Sequence, residues 1–130
     1  MLMGVGNASD QQKDRETAMG YQVKFYQLRC IETEDNGEDE LWVDYRGLRV
    51  WGIGDINNGQ VINVNNGPFT LANSGADVVS LWDKDDFDAD DHLGDFLISS
   101  AVSGRGEQLA EFRGSGAHYT LTYEVRPDNW

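Results

Sequence analysis

"LWDKDDFDADDHLGDFL", residues 81–97, joins two apolar runs through a loop that holds six aspartates. The apolar runs cover residues 77–82 and 93–98, and each has the length of one β-strand. Two like charges about 4 Å apart repel by roughly 1 kcal/mol in water and by several times that near a protein surface. This crowding opposes compact folding, so we expect a partner of opposite charge at residues 83–91, named here the second acidic loop.

The rest of the chain shows the pattern of short strands separated by turns. Apolar and polar residues alternate with a period of two from Tyr21 to about residue 31, which predicts a half-buried strand. A hairpin is predicted around Arg46-Gly47, and the Gly- and Asn-rich residues 52–59 and 65–68 are predicted as turns. The remaining predicted strands cover residues 41–45, 48–51, 61–64, 77–82, 93–98, 108–112 and 119–125. The sequence therefore predicts an all-β fold, an antiparallel eight-stranded β-sandwich.

Length and composition indicate one domain with a real core. The chain has 130 residues, of which 39% are hydrophobic, and no helical pattern after residue 20 is long enough for crossover connections. We expect residues 1–20 to be a flexible N-terminal arm and residues 21–130 to form the sandwich. No stretch resembles a signal peptide or a membrane span, so a soluble protein of undetermined compartment is expected. Cys30, the single cysteine, is predicted to be a buried thiol.

The charge balance points to cations as partners. A net charge of −13 disfavours binding to nucleic acid and direct docking on anionic lipid. A first acidic loop, "ETEDNGEDE" at residues 32–40, adds a second group of carboxylates between strands one and two. If strands one and five are neighbours in the sandwich, both acidic loops emerge from the same end and could share ions.

The donor atoms favour calcium over other metals. Calcium takes six to eight oxygen ligands in flexible geometry, whereas magnesium demands a near-ideal octahedron. Zinc is disfavoured because Cys30, His92 and His118 are the only sulfur and imidazole donors, and their spacing matches no short zinc motif. The EF-hand loop does not fit either, since a register that starts at Asp86 puts Asp91 where that loop needs glycine.

With these two acidic loops the sequence resembles a C2 domain, a calcium-dependent β-sandwich found in peripheral membrane proteins. The motif D-x-D-x5-D-x-x-G after an apolar strand is met by Asp83, Asp85, Asp91 and Gly94. The resemblance implies that these three aspartates ligate calcium in the third calcium-binding loop of the family. It covers residues 21 to about 126 and implies the circularly permuted strand order of that family.

The first calcium-binding loop of the family is similar to residues 34–43, where Asn36, Gly37 and Val43 match. Strict alignment makes Glu34 and Glu40 the ligands, and Asp35 and Asp39 are shorter carboxylates next to them. We expect Asp35 with Asp39 or Glu40 to ligate the ion, with Glu34 as the alternative.

The function predicted on this basis is a calcium-binding C2-like module that attaches to a partner or membrane, without catalysis. The partner expected besides calcium is phospholipid or a protein. Phe87, at the tip of the second acidic loop, either inserts into lipid or packs back onto the sandwich, and both alternatives stay open. Two alternatives stay open: a metal-free structural or interaction subunit of a larger assembly, and a calcium-assisted carbohydrate-binding module. Trp42, Trp51 and Trp82 are predicted to lie in the core. The sequence does not indicate the oligomeric state.

Overall fold

The computed structural model describes residues 20–34, 38–85, 89–127 and 130. These residues form eight strands and one short 3-10 helix, Ser100–Val102, and they include no helix long and apolar enough to cross a membrane. The strands are β1 (Tyr21–Glu32), β2 (Asp39–Tyr45), β3 (Leu48–Ile56), β4 (Val61–Thr70), β5 (Ala76–Asp83), β6 (Asp91–Ser99), β7 (Gln108–Phe112) and β8 (His118–Pro127).

The strands pair in two antiparallel sheets of four, in the orders β4-β1-β8-β7 and β3-β2-β5-β6. This confirms the predicted eight-stranded β-sandwich. The condition considered above, that strands one and five are neighbours, is not met by strand pairing, because β1 and β5 belong to different sheets. The acidic loops still meet at one end, since β2 begins where the first loop ends and pairs antiparallel with β5, so that Leu41 lies opposite Asp83.

The core lies between the sheets and follows the strand alternation. Side chains at every second position of β8 are buried there, and β1 shows the same alternation except for one shift between Phe25 and Leu28. Cys30 is among the buried residues with 0% exposure, as predicted. Trp51 packs partly against this core. The core prediction was wrong for Trp42 and Trp82, which are half-buried and lie together on neighbouring strands, with ring centroids 6.2 Å apart and planes at 80°.

Two predicted turns belong to strands instead. β3 continues through the Gly-rich residues to Ile56, and β4 continues through residues 65–68 to Thr70. β3 and β4 are each one of the two edge strands of their sheets, and the pairing of β1 with β4 shifts register twice. Asn65 takes a φ of 44°, so residues typical of turns are accommodated here as irregularities within an edge strand.

Candidate metal centre

Three carboxylates meet at the end of the sandwich where the acidic loops lie. Glu34, Asp83 and Asp91 each offer one oxygen, and these oxygens lie within 4.8 Å of one another. Two oxygens that are each about 2.4 Å from one calcium ion can be at most about 4.8 Å apart. The three oxygens therefore lie close enough together to contact one calcium ion, and we call these three residues the acidic centre.

Strand pairing explains two of the three positions. Asp83 is the last residue of β5, Asp91 is the first residue of β6, and the two are cross-strand partners. Asp83 is only 7% exposed, and one of its oxygens accepts a hydrogen bond of 2.8 Å from the Glu40 N–H. The Lys84 N–H in turn donates to the Glu40 carbonyl at 2.8 Å. The start of β2 therefore holds the end of β5 in place.

Glu34 is positioned by a buried carboxylate. Asp39 is 0% exposed, and its Oδ2 accepts hydrogen bonds from the Glu34 N–H at 2.8 Å and from the Tyr119 hydroxyl at 2.5 Å. Tyr119 lies on β8 of the opposite sheet, so this pair of bonds ties the first acidic loop to the core. The neighbouring Thr33 N–H donates to Asn58 Oδ1 at 2.8 Å and anchors the same loop from the β3–β4 connection.

The environment of Asp39 perturbs its neighbours. Burial, together with the hydrogen bond to the Asp39 carboxylate, raises the pKa of Tyr119 far above its usual value. Burial likewise raises the pKa of the Cys30 thiol, which contacts the Tyr119 hydroxyl. Among the described residues Asp39 Oδ1 has no hydrogen-bond partner although it is buried. A buried carboxylate that is only half satisfied is costly, so a cation bound nearby would stabilise it.

The predicted ligands fall into three groups. Asp83 and Asp91 lie in the acidic centre, together with Glu34, which strict alignment had indicated as a ligand. Asp39, Glu40 and Asp85 are placed by the structure, but they do not join that group within the described part of the chain. Asp35 and the loop-tip Phe87 fall outside the described residues, so their roles stay predictions.

A row of rings crosses the outer face of the sheet beside the acidic centre. Trp82 directly precedes Asp83. Its ring centroid lies 6.2 Å from that of Trp42 on one side and 4.6 Å from that of His92 on the other. His92 Nε2 contacts Asp95 Oδ1 at 2.7 Å. A hydrogen bond from Ser80 is the largest cause that lowers the pKa of Asp95, and contact with His92 adds to it. Trp82, which is fluorescent, is therefore adjacent in sequence to Asp83 of the acidic centre.

Comparisons with known proteins bear on the fold. No protein-family model and no curated protein matches this sequence. Solved structures do match, among them one described as the structure of a C2 domain, with a TM-score of 0.51 and 16% identity over 82% of this chain and 98% of that chain. A C2 domain of plant Extended Synaptotagmin 1 has a TM-score of 0.49 and 8% identity over 86% of this chain and 98% of that chain.

A third match is human GIVD cytosolic phospholipase A2 in complex with a fluorophosphonate inhibitor and terbium chloride. Its TM-score is 0.44 and its identity 12%, and the match covers 84% of this chain but only 17% of that chain. The likeness to the C2 domain structure with the TM-score of 0.51, at 16% identity, concerns the fold, and in this sense the sandwich described above is C2-like.

Proposed function

We propose that this C2-like β-sandwich is a calcium-binding module that holds Ca²⁺ between its two acidic loops and attaches through it to a membrane or a protein partner. The observation that carries the proposal is the acidic centre, where oxygens from Glu34, Asp83 and Asp91 lie within 4.8 Å of one another. Calcium supplies the opposite charge that offsets their mutual repulsion. Asp85, Asp35 and Glu40 are the further carboxylates that we expect around the ion.

We assign Asp39 a positioning role in this site. Its Oδ2 is occupied by two hydrogen bonds, one of which fixes the backbone of Glu34. A side chain that orients a ligand in this way typically raises metal affinity without touching the metal. In this proposal Glu40, the alternative to Asp39, is the residue that ligates the ion together with Asp35.

The ring geometry does not favour the carbohydrate-binding alternative. Stacking of a sugar requires exposed, flat aromatic faces, yet the planes of Trp42 and Trp82 meet at 80°. The Arg49 guanidinium lies 3.4 Å from the centroid of Trp42 and covers one face of that ring. The acidic centre therefore remains the feature that supports a function best.

The proposal is tested by calorimetric titration with calcium, with EDTA as the reversal. An ion that binds only the folded state stabilises it by about 2.7 kcal/mol at one hundred times Kd, so the melting temperature should rise with calcium and fall back with EDTA. Asp83→Asn should abolish the heat of binding. Asp44→Asn is the matched control, because Asp44 lies further along β2 and pairs with Ser80, away from the acidic centre.

Two results would count against the proposal. Wild-type protein that gives no heat and no melting shift in millimolar calcium would remove the function altogether. Equal calcium binding by Asp83→Asn and Asp44→Asn would place the ion elsewhere. Co-sedimentation with anionic vesicles in calcium and in EDTA then separates a membrane partner from a protein partner.

A further inference from the structure

The sandwich is closed along one side and open along the other. Two residues after the end of β7, the Gly114 N–H donates to the Leu93 carbonyl of edge strand β6 at 2.6 Å and closes this side. On the opposite side, between edge strands β3 and β4, the Asn66 side-chain amide donates to the Val50 carbonyl. Beside this bond a cavity of about 460 Å³ opens between the sheets. We call it the edge groove, and its volume lies within the range of small-molecule sites.

Most of the lining of the edge groove is apolar. Tyr45 and Phe69 both line it, and their ring centroids are 5.6 Å apart. The Tyr45 hydroxyl contacts Asp77 Oδ2 at 3.1 Å, which keeps the ring fixed. Leu48 and Val50 line the groove from β3, and Leu48 is 71% exposed. An aromatic and aliphatic lining of this kind suits a hydrocarbon chain.

Two arginines supply positive charge at the edge groove. Arg46 donates to the Thr70 carbonyl at 3.2 Å and lies 3.5 Å from Asp77, while its side chain stays 46% exposed. Arg49 stacks on Trp42 and has Asp44 as its cross-strand neighbour, but within the described part of the chain no carboxylate lies at ion-pair distance from its guanidinium. In a chain with 23 acidic and 10 basic residues, an arginine that makes no direct ion pair is available to an external anion.

We infer that the edge groove binds a free, single-chain amphiphile with one carboxylate head, a molecule of the fatty-acid class. The planar guanidinium fork recognises a carboxylate, and the aromatic lining takes the apolar chain. Along β2 the groove, at Tyr45, lies about 13 Å from Leu41, which pairs with Asp83 of the acidic centre. This exceeds the Debye length of about 8 Å at physiological salt, so repulsion from that end is largely screened. The inference is independent of calcium binding.

The test uses sodium decanoate as the probe, in EDTA, so that calcium cannot contribute. Calorimetry and amide chemical shifts of the full chain are measured with decanoate, with acetate, which lacks the chain, and with decyltrimethylammonium, which reverses the charge. We expect saturable decanoate binding with shifts confined to residues 45–50 and 69–70, and no binding of the other two. Decanoate that does not bind, that shifts other residues, or that binds no better than decyltrimethylammonium would overturn the inference.

Variants locate the head and the chain separately. Arg49→Gln should weaken decanoate binding about tenfold, because a hydrogen bond to a charged group is lost. Its matched control is Arg29→Gln, an exposed arginine of β1. Leu48→Glu should abolish binding at the mouth of the groove, whereas Leu109→Glu, at a 61% exposed position of β7, should not.

The outcomes are decisive in both directions. Equal affinities of each variant and its control would overturn the inference. The inference would also be overturned if the protein bound anionic vesicles in EDTA but not monomeric decanoate. That result would mean that the two arginines contact a lipid surface and not a single amphiphile. Because all arms run in EDTA, none of these results depends on whether the acidic centre binds calcium.

Discussion

Replacing Tyr119 with Phe removes one hydroxyl and tests whether the core of the sandwich positions Glu34. The Tyr119 hydroxyl lies 2.5 Å from Asp39 Oδ2, both residues are 0% exposed, and the ring itself is retained. A hydrogen bond to a charged group contributes about 1.5–3 kcal/mol. We expect the free energy of unfolding to fall by about 2 kcal/mol, and the melting temperature of a domain of this size to fall by roughly 6–10 °C.

The same change should weaken calcium binding. Asp39 Oδ2 also accepts the Glu34 N–H, so an Asp39 carboxylate released from Tyr119 no longer fixes Glu34 firmly. Loss of a supporting hydrogen bond behind a metal ligand typically costs about tenfold or more in affinity. If Tyr119 acts through Glu34, the double variant Tyr119→Phe/Glu34→Gln should bind calcium no more weakly than Glu34→Gln alone.

Calorimetric dissociation constants for calcium in the four proteins of this cycle are the assay. Tyr123→Phe is the matched control, because Tyr123 is a buried tyrosine of the same strand whose pKa is raised by burial alone. The reasoning is refuted if Tyr119→Phe melts at lower temperature but keeps the wild-type calcium affinity. Fully additive losses in the double variant would refute it too.

Three further predictions concern other parts of the molecule. Tryptophan excitation should sensitise terbium emission from the loaded protein, and Trp82→Phe should remove most of it, because Trp82 directly precedes an acidic-centre aspartate. Ser80→Ala should raise the lowered pKa of Asp95, measured by NMR titration. The lowered pKa stabilises the fold above the ordinary carboxyl pKa, and this contribution is lost as the pH falls through the pKa of the folded state. In Ser80→Ala this contribution should be smaller. Gly114→Ala should destabilise the fold by about 3 kcal/mol in denaturant, since a Cβ there would lie 2.6 Å from the Leu93 carbonyl.

Each of these has its own contradicting result. Undiminished terbium emission from Trp82→Phe would place the ion away from β5. An unchanged titration of Asp95 in Ser80→Ala would show that the hydroxyl does not stabilise the carboxylate. For the glycine, Gly52→Ala is the control, because a Cβ at Gly52 meets only ordinary contacts at 3.7 Å. Equal stability of the two alanine variants would contradict the close β6–β7 approach.

The strands could be predicted because their signals are local. Alternation of apolar and polar residues and clusters of turn residues lie within a few positions of one another, and all eight predicted strands exist. The ends of β3 and β4 were misjudged because Gly and Asn occupy irregular edge strands as readily as turns. Which strands are neighbours depends on pairing between distant segments, and local patterns do not contain that information.

The candidate site could be predicted from the sequence only in part. The spacing within one hairpin brought out Asp83 and Asp91, because they flank a single loop. Glu34 lies near Asp83 and Asp91 because β2, which follows it, pairs with β5. The one sequence signal for Glu34 was therefore its alignment with the first calcium-binding loop of C2 domains. The burial of Asp39 could not be predicted from a run of acidic residues, because it depends on the contact with Tyr119, which is distant in sequence and lies on the other sheet.

A crystal of the protein grown with calcium or terbium tests the ion site most directly, through the anomalous difference map. We predict a peak between the two acidic loops, with oxygens of Glu34, Asp83 and Asp91 about 2.3–2.6 Å from it. A map of equal quality that shows only water between these three carboxylates, with the loops turned away from each other, would contradict the account.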